Sequence, residues 1–211
     1  MSARWLAHMT CAAALAACSS HPPAPDWQGR AKAASERAVA AYLTGDARVE
    51  AAELARARSE VSRTGRADLL ARVELAQCAA QVASLVFGPC AAFEPLRMDA
   101  PAPERAYAAY LAGRASRDDV ALLPAAHRGG PVAGIPDPLS RLIAAGVQFE
   151  TGQADPSVIS TAVDTASAQG WRRPLLAWLG VQLRLAAQAG DADEVVRLKR
   201  RIALTEGPAA P

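Results

Sequence analysis

The sequence predicts an all-α fold built from helical hairpins, and three observations carry that prediction. Apolar residues recur at helical spacing, and nowhere do Val, Ile and Thr alternate with polar residues over the length of a strand. Glycines and prolines cut the chain into segments of helical length. Apolar residues make up 51% of the chain but aromatics only 5%, so much of the core must be alanine. Helices meeting along alanine-rich faces build such a core by close approach. A length of 211 residues is enough for one domain and too little for two large ones.

The elements follow from the breakers in order. Helices over 28–44 and 47–64 are stopped by Gly45 and Gly65. A third over 66–87 runs into Gly88-Pro89. Pro101 to Pro103 and Gly113 bound a helix over 103–112. The next, 117–127, opens on Asp118 and Asp119, whose charges suit the positive end of the helix dipole. The stretch 129–138 (GGPVAGIPDP) is a connection, followed by helices over 138–151, 156–169, 172–189 and 192–205, separated by Gly152, Gly170 and Gly190. The 172–189 helix carries Leu175, Leu176, Trp178, Leu179, Val181, Leu183 and Leu185, is apolar nearly all round, and is predicted at the centre of the core.

An internal repeat supports the hairpins. Glu36–Ala57 (ERAVAAYLTGDARVEAAELARA) laid on Glu104–Ala125 (ERAYAAYLAGRASRDDVALLPA) matches at 11 of 22 positions, among them Tyr42 with Tyr110, Leu43 with Leu111 and Gly45 with Gly113. The physical reading is a helix ended by a left-handed glycine, a turn, and a second helix packed back on the first. Gly152 and Gly190 sit similarly, and the glycine separations of 68, 39 and 38 residues suit four or five hairpins. Together with Trp178, Leu179, Gly180 and Ala187, this resembles the tetratricopeptide class of α-solenoids, although that family's spacing is not kept. The resemblance implies hairpins stacked as a tetratricopeptide-like solenoid or an irregular helical bundle.

The N-terminus has a different character. Arg4 gives a short positive region and Trp5 to Ala14 an apolar one, far shorter than the roughly 20 residues of a membrane-spanning helix. Leu15-Ala16-Ala17-Cys18 resembles the lipobox of bacterial lipoproteins. That resemblance implies a signal peptide over 1–17, a lipid on Cys18 as the new N-terminus and, because Ser19 rather than Asp follows, transfer to the outer membrane on its periplasmic face. Ala14-Leu15-Ala16 also fits an ordinary secretory cleavage site. Ser19 to Trp27 (SSHPPAPDW) reads as a disordered tether within the segment 18–27, ahead of a helical domain over 28–206 and a short disordered tail over 207–211.

In an oxidising compartment, the remaining Cys78 and Cys90 read as a disulfide. A helix from Cys78 to Phe87 advances about 13 Å, and three extended residues after a reversal at Gly88-Pro89 recover roughly 10 Å, so the bridge is feasible. Two cysteines without a third ligand do not make a tetrahedral metal shell, and the spacing is not that of a redox pair.

No catalytic constellation is apparent. His21 falls in the tether, and His127, beside Gly129-Gly130, reads as a solvated histidine at a helix end rather than a general base. Asp118 and Asp119 are adjacent on a helix and point apart. Glu50, Glu53, Arg56 and Arg58 read as a charged surface. Gly129-Gly130-Pro131 lacks the lysine and hydroxyl of a phosphate loop. The formal charge of +2 includes Arg4 of the signal, so the mature chain is near neutral and gives no case for nucleic acid. Trp171-Arg172-Arg173 is a possible interaction surface for anionic groups, against a reading in which Trp171 covers the core and the arginines are solvated. Lys199-Arg200-Arg201 suits the negative end of the last helix.

The expectation is therefore a non-enzymatic lipoprotein without cofactor or metal. It is anchored in the outer membrane through Cys18 and acts as a scaffold for a protein partner of the cell envelope. A module holding a lipid or peptide, or a non-catalytic activator of an envelope enzyme, is the alternative. A closed core favours the scaffold, and an open groove lined by Leu and Trp favours holding.

Overall fold

A computed structural model of the chain describes residues 25–207. The predicted signal segment, Cys18 and His21 lie outside the described residues. Among those described, every regular element is a helix: α1 Asp26–Thr44, α2 Ala47–Ser62, α3 Ala67–Ala83, α4 Ala102–Leu111, α5 Arg117–Leu122, α6 Pro138–Glu150, α7 Pro156–Ala168, α8 Arg172–Ala189 and α9 Ala192–Glu206. Short 3-10 turns occupy Glu94–Leu96, Ala125–His127 and Val132–Gly134.

Four hairpins, α1–α2, α4–α5, α6–α7 and α8–α9, surround a single helix, α3. Their turns fall at Gly45, Gly113, Gly152 and Gly190, all with positive φ. At Gly45, with φ +89°, the backbone N–H closes on the carbonyls of Ala41 and Tyr42, an arrangement that a side chain would strain. Asp46, Asp137, Asp155 and Asp191 accept backbone N–H bonds at helix starts, and Ser116 with Asp119 forms a capping box on α5.

Helix α3 packs on α1, α2, α4 and α6, while α1 also meets α8. That last contact joins the first hairpin to the last, so the array closes into a bundle around α3 instead of running on as an open solenoid. The centre of α8 is buried as its composition predicts: Trp178 and Leu179 are fully enclosed. The Trp178 indole donates to the Ala83 carbonyl at 3.1 Å, and Phe149 meets its ring edge-on at 5.7 Å. Much of the rest is alanine, with Ala34, Ala57, Ala71, Ala80, Ala83, Ala145, Ala162 and Ala166 all at 0% exposure. Helices α3 and α6 cross closely where Gly146 faces the Val82 backbone.

Two predicted helices end early. Helix α3 stops at Ala83 rather than 87, because Leu85 takes a left-handed conformation (φ +59°). The Val86 and Leu85 N–H groups bond back to the Gln81 and Val82 carbonyls, a Schellman closure with leucine where glycine is usual. Leu85 packs on the main core, which offsets roughly 1–2 kcal/mol of backbone strain. The reversal therefore comes before Gly88-Pro89. The chain then returns through the fully buried Phe93, and the structure joins Cys78 to Cys90 with their α-carbons 5.7 Å apart.

Helix α5 ends at Leu122 rather than 127 because Pro124 forces Leu123 into extended backbone (ψ 157°). Past that point the chain folds inward over α4 and α6.

Candidate functional site

Where the chain leaves α5 it becomes one wall of a cleft of about 620 Å³. The α3 wall contributes Leu75, Ala76 and Ala79, the start of α4 contributes Pro103, Glu104 and Tyr107, and α6 contributes Leu139, Ser140 and Ile143. Leu122, Leu123 and Pro124 close the opposite side, and Val39 of α1 reaches one end. The size is ordinary for a ligand site, and a mostly apolar lining with a few polar groups is the usual composition of one.

Four charged side chains face it: Arg72, Glu104, Arg128 and Asp137. Arg72 donates through Nε to Glu104 Oε1 at 2.5 Å. Arg128 donates through Nε to the Leu123 carbonyl at 2.7 Å, which fastens the extended wall. Asp137 accepts the Ser140 N–H at the start of α6. Glu104 is buried, and its second oxygen, Oε2, has no hydrogen-bond partner. Local sequence explains that orphan. Glu104 occupies the third position of α4, where a glutamate ordinarily reaches back to the N–H of the capping residue; here that residue is Pro101, which has none.

Behind the wall lies His127, which is buried rather than solvated as expected. It sits in the 3-10 turn after α5, stacked on Tyr107 and Tyr110 with ring centres 5.7 and 4.9 Å away. Its Nε2 lies 3.1 Å from the Ser140 carbonyl and must carry a proton to bond it, so Nδ1 is left as a buried acceptor without a partner. Burial holds the imidazole below its usual pKa, against smaller opposing effects of the Ser140 carbonyl and Asp137. Burial likewise pushes the Tyr107 and Tyr110 phenols well up. These contacts tie the segment after α5 to Tyr107 and Tyr110 of α4 and to Ser140 of α6.

Trp171, Arg172 and Arg173 come together at the start of α8, with Arg172 exposed and Trp171 and Arg173 partly buried. Trp171 is half-buried against the core. Arg173 lies over the Tyr42 ring, 4.0 Å from its centre, and 3.7 Å from Glu50, which also accepts from Gln77 at 2.6 Å. The Arg172 guanidinium packs on the Gly45 turn. These residues dock the first hairpin onto α8. Glu53 pairs with both Arg37 and Arg56, and Arg58 makes a bidentate bond to buried Glu74 of α3. The predicted charged surface of α2 is thus partly a seam within the fold.

Among the described residues no cluster of His, Cys, Asp or Glu is placed to hold a metal ion, and no helix is long and apolar enough to cross a membrane. Compared with known proteins, the chain matches no family model, no curated protein and no solved structure.

Proposed function

We propose that this protein is a non-enzymatic binding module of the bacterial cell envelope, held at the outer membrane by a lipid on Cys18, and that its cleft between α3, α4 and α6 receives an apolar part of a protein partner. The observation that carries the reading is the cleft itself: a mostly apolar recess of about 620 Å³ beside a core packed around Trp178. Such a recess loses its exposed apolar surface on binding, which is the main drive for association. The lipobox-like Leu15-Ala16-Ala17-Cys18 and the proline-rich stretch after it support the anchor and tether.

The test uses the full chain in intact cells. A photo-crosslinking residue at Leu122, on the cleft rim, is expected to capture a discrete envelope protein, and Ile143→Trp, which fills the cleft, is expected to abolish that adduct. The same probe at Met98, 90% exposed and outside the cleft lining, is the control. Identical adducts from both positions, or an adduct unchanged by Ile143→Trp, would overturn the binding role. The anchor is tested separately: mature protein whose N-terminus is not an acylated Cys18 removes that part of the reading.

A further inference from the structure

Resting on the cleft as the binding site, we infer that its occupant is an apolar peptide segment, recognised through a backbone N–H donated to Glu104. A buried charged oxygen without a donor is uncommon in native structures and is costlier than a neutral one. Glu104 is only 8% exposed, Arg72 satisfies Oε1, and Pro101 at the cap lacks the backbone donor that would ordinarily serve a glutamate at this position. Glu104 lines the cleft, and the terminal torsion of a glutamate is broad, so a donor seated there is within reach of the carboxylate once it turns together with Arg72.

Charge complementarity selects the class of ligand. The cleft presents two cations and two anions, Arg72 and Arg128 with Glu104 and Asp137, so its polar lining is balanced. A peptide backbone, uncharged and offering N–H and C=O together, matches that balance and supplies the donor that Glu104 Oε2 lacks, whereas an ionised fatty acid has no N–H to give. The internal repeat sharpens the assignment. Glu36, which aligns with Glu104, is solvated and paired with Lys32 at 3.4 Å, so burial of Glu104 belongs to the cleft and not to the hairpin motif.

The test is a displacement titration on the intact domain, with the neutral dye N-phenyl-1-naphthylamine as cleft reporter. The competitors are acetyl-Ala-Leu-Leu-Ala-amide, the same peptide with methylated backbone nitrogens, and dodecanoate. The peptide is expected to displace the dye, the methylated peptide at least tenfold less well, and Glu104→Ala is expected to weaken the peptide tenfold or more and to shrink its advantage over the methylated peptide to less than threefold. A cooperative thermal melt of the variant shows that it is folded, and a peptide advantage kept at tenfold in the folded variant overturns the role of Glu104. Equal affinity of the two peptides, or tighter competition by dodecanoate, overturns the peptide assignment and leaves the cleft reading standing. Failure of the dye to bind, or binding insensitive to Ile143→Trp, overturns both.

Discussion

Gly146→Ala tests how closely this fold depends on small residues at helix crossings. A β-carbon at Gly146 would lie 2.3 Å from the Val82 carbonyl oxygen and 3.0 Å from both the Val82 carbonyl carbon and Cγ1. Carbon–oxygen contacts between helices settle near 3.3 Å, so α3 and α6 must part by about 1 Å. The obstructing oxygen is backbone and has no rotamer to escape into. Overpacking of this kind typically costs about 1–3 kcal/mol and sometimes more, while replacing a helical glycine by alanine gains about 1 kcal/mol. The opening also loosens contacts of Ala79, Val82, Leu142 and Ile143, because a gap of that size forfeits a quarter to a half of each dispersion contact. A net loss of about 1–3 kcal/mol is expected, a fall of roughly 3–10 °C in melting temperature for a domain of this length. Gly180→Ala in α8 is the control, since the nearest atom to its added carbon is the mobile Arg184 guanidinium at 3.8 Å. Thermal melts of the two variants decide the matter. If Gly146→Ala is as stable as Gly180→Ala, the close crossing of α3 and α6 does not exist as described.

Three further outcomes are expected. Cys78→Ala with Cys90→Ala, or reduction of the wild type, should remove about 3 kcal/mol by freeing a short loop in the unfolded chain, read as a lower urea midpoint. Because the folded state favours neutral His127, the unfolded chain binds more protons once pH falls below the ordinary histidine value near 6.5. The associated stability is whole above that pH and declines on acidification, so the loss in urea midpoint between pH 7.5 and 5.5 should shrink in His127→Phe; an unchanged loss would remove the buried-imidazole account. Arg173→Ala should destabilise by about 1 kcal/mol through loss of the stack on Tyr42, and Arg173→Lys should restore only part because an ammonium lacks the planar guanidinium face. Equal melts for the wild type and Arg173→Ala would make that stack incidental.

The hairpins were legible because their signals are local. Gly45, Gly113, Gly152 and Gly190 end helices by backbone chemistry that needs no distant partner, and the repeat around Tyr42 and Tyr110 marked two of the turns. The end of α3 was hidden because leucine, not glycine, adopts the left-handed position, held there by contacts with the core. The end of α5 is set by Pro124, whose restriction of Leu123 is local, but the helical spacing of apolar residues runs on past it.

The cleft was not legible at all, since it depends on how closely α3 approaches α6 and on where the segment after α5 folds. Glu36 and Glu104 make the point: aligned in sequence, one is solvated and the other lines the cleft. The surroundings of His127 and Arg173 are hidden for a related reason. Each has a polar neighbourhood in sequence, yet is engaged by aromatic rings brought from elsewhere, Tyr107 and Tyr110 in one case and Tyr42 in the other.

The central claim is that the cleft, and not another apolar surface, is where this domain binds. The fold offers a direct rival in the outer face of the last hairpin, where Leu185, Val196 and Leu204 are exposed. Methyl NMR of protein labelled at Ile, Leu and Val, titrated with N-phenyl-1-naphthylamine, separates the two surfaces. Saturable shifts at Leu75, Leu122, Leu123, Leu139 and Ile143, with Leu185, Val196 and Leu204 unmoved, are the predicted result. Shifts centred on the last hairpin, or shifts that never saturate, would contradict the claim.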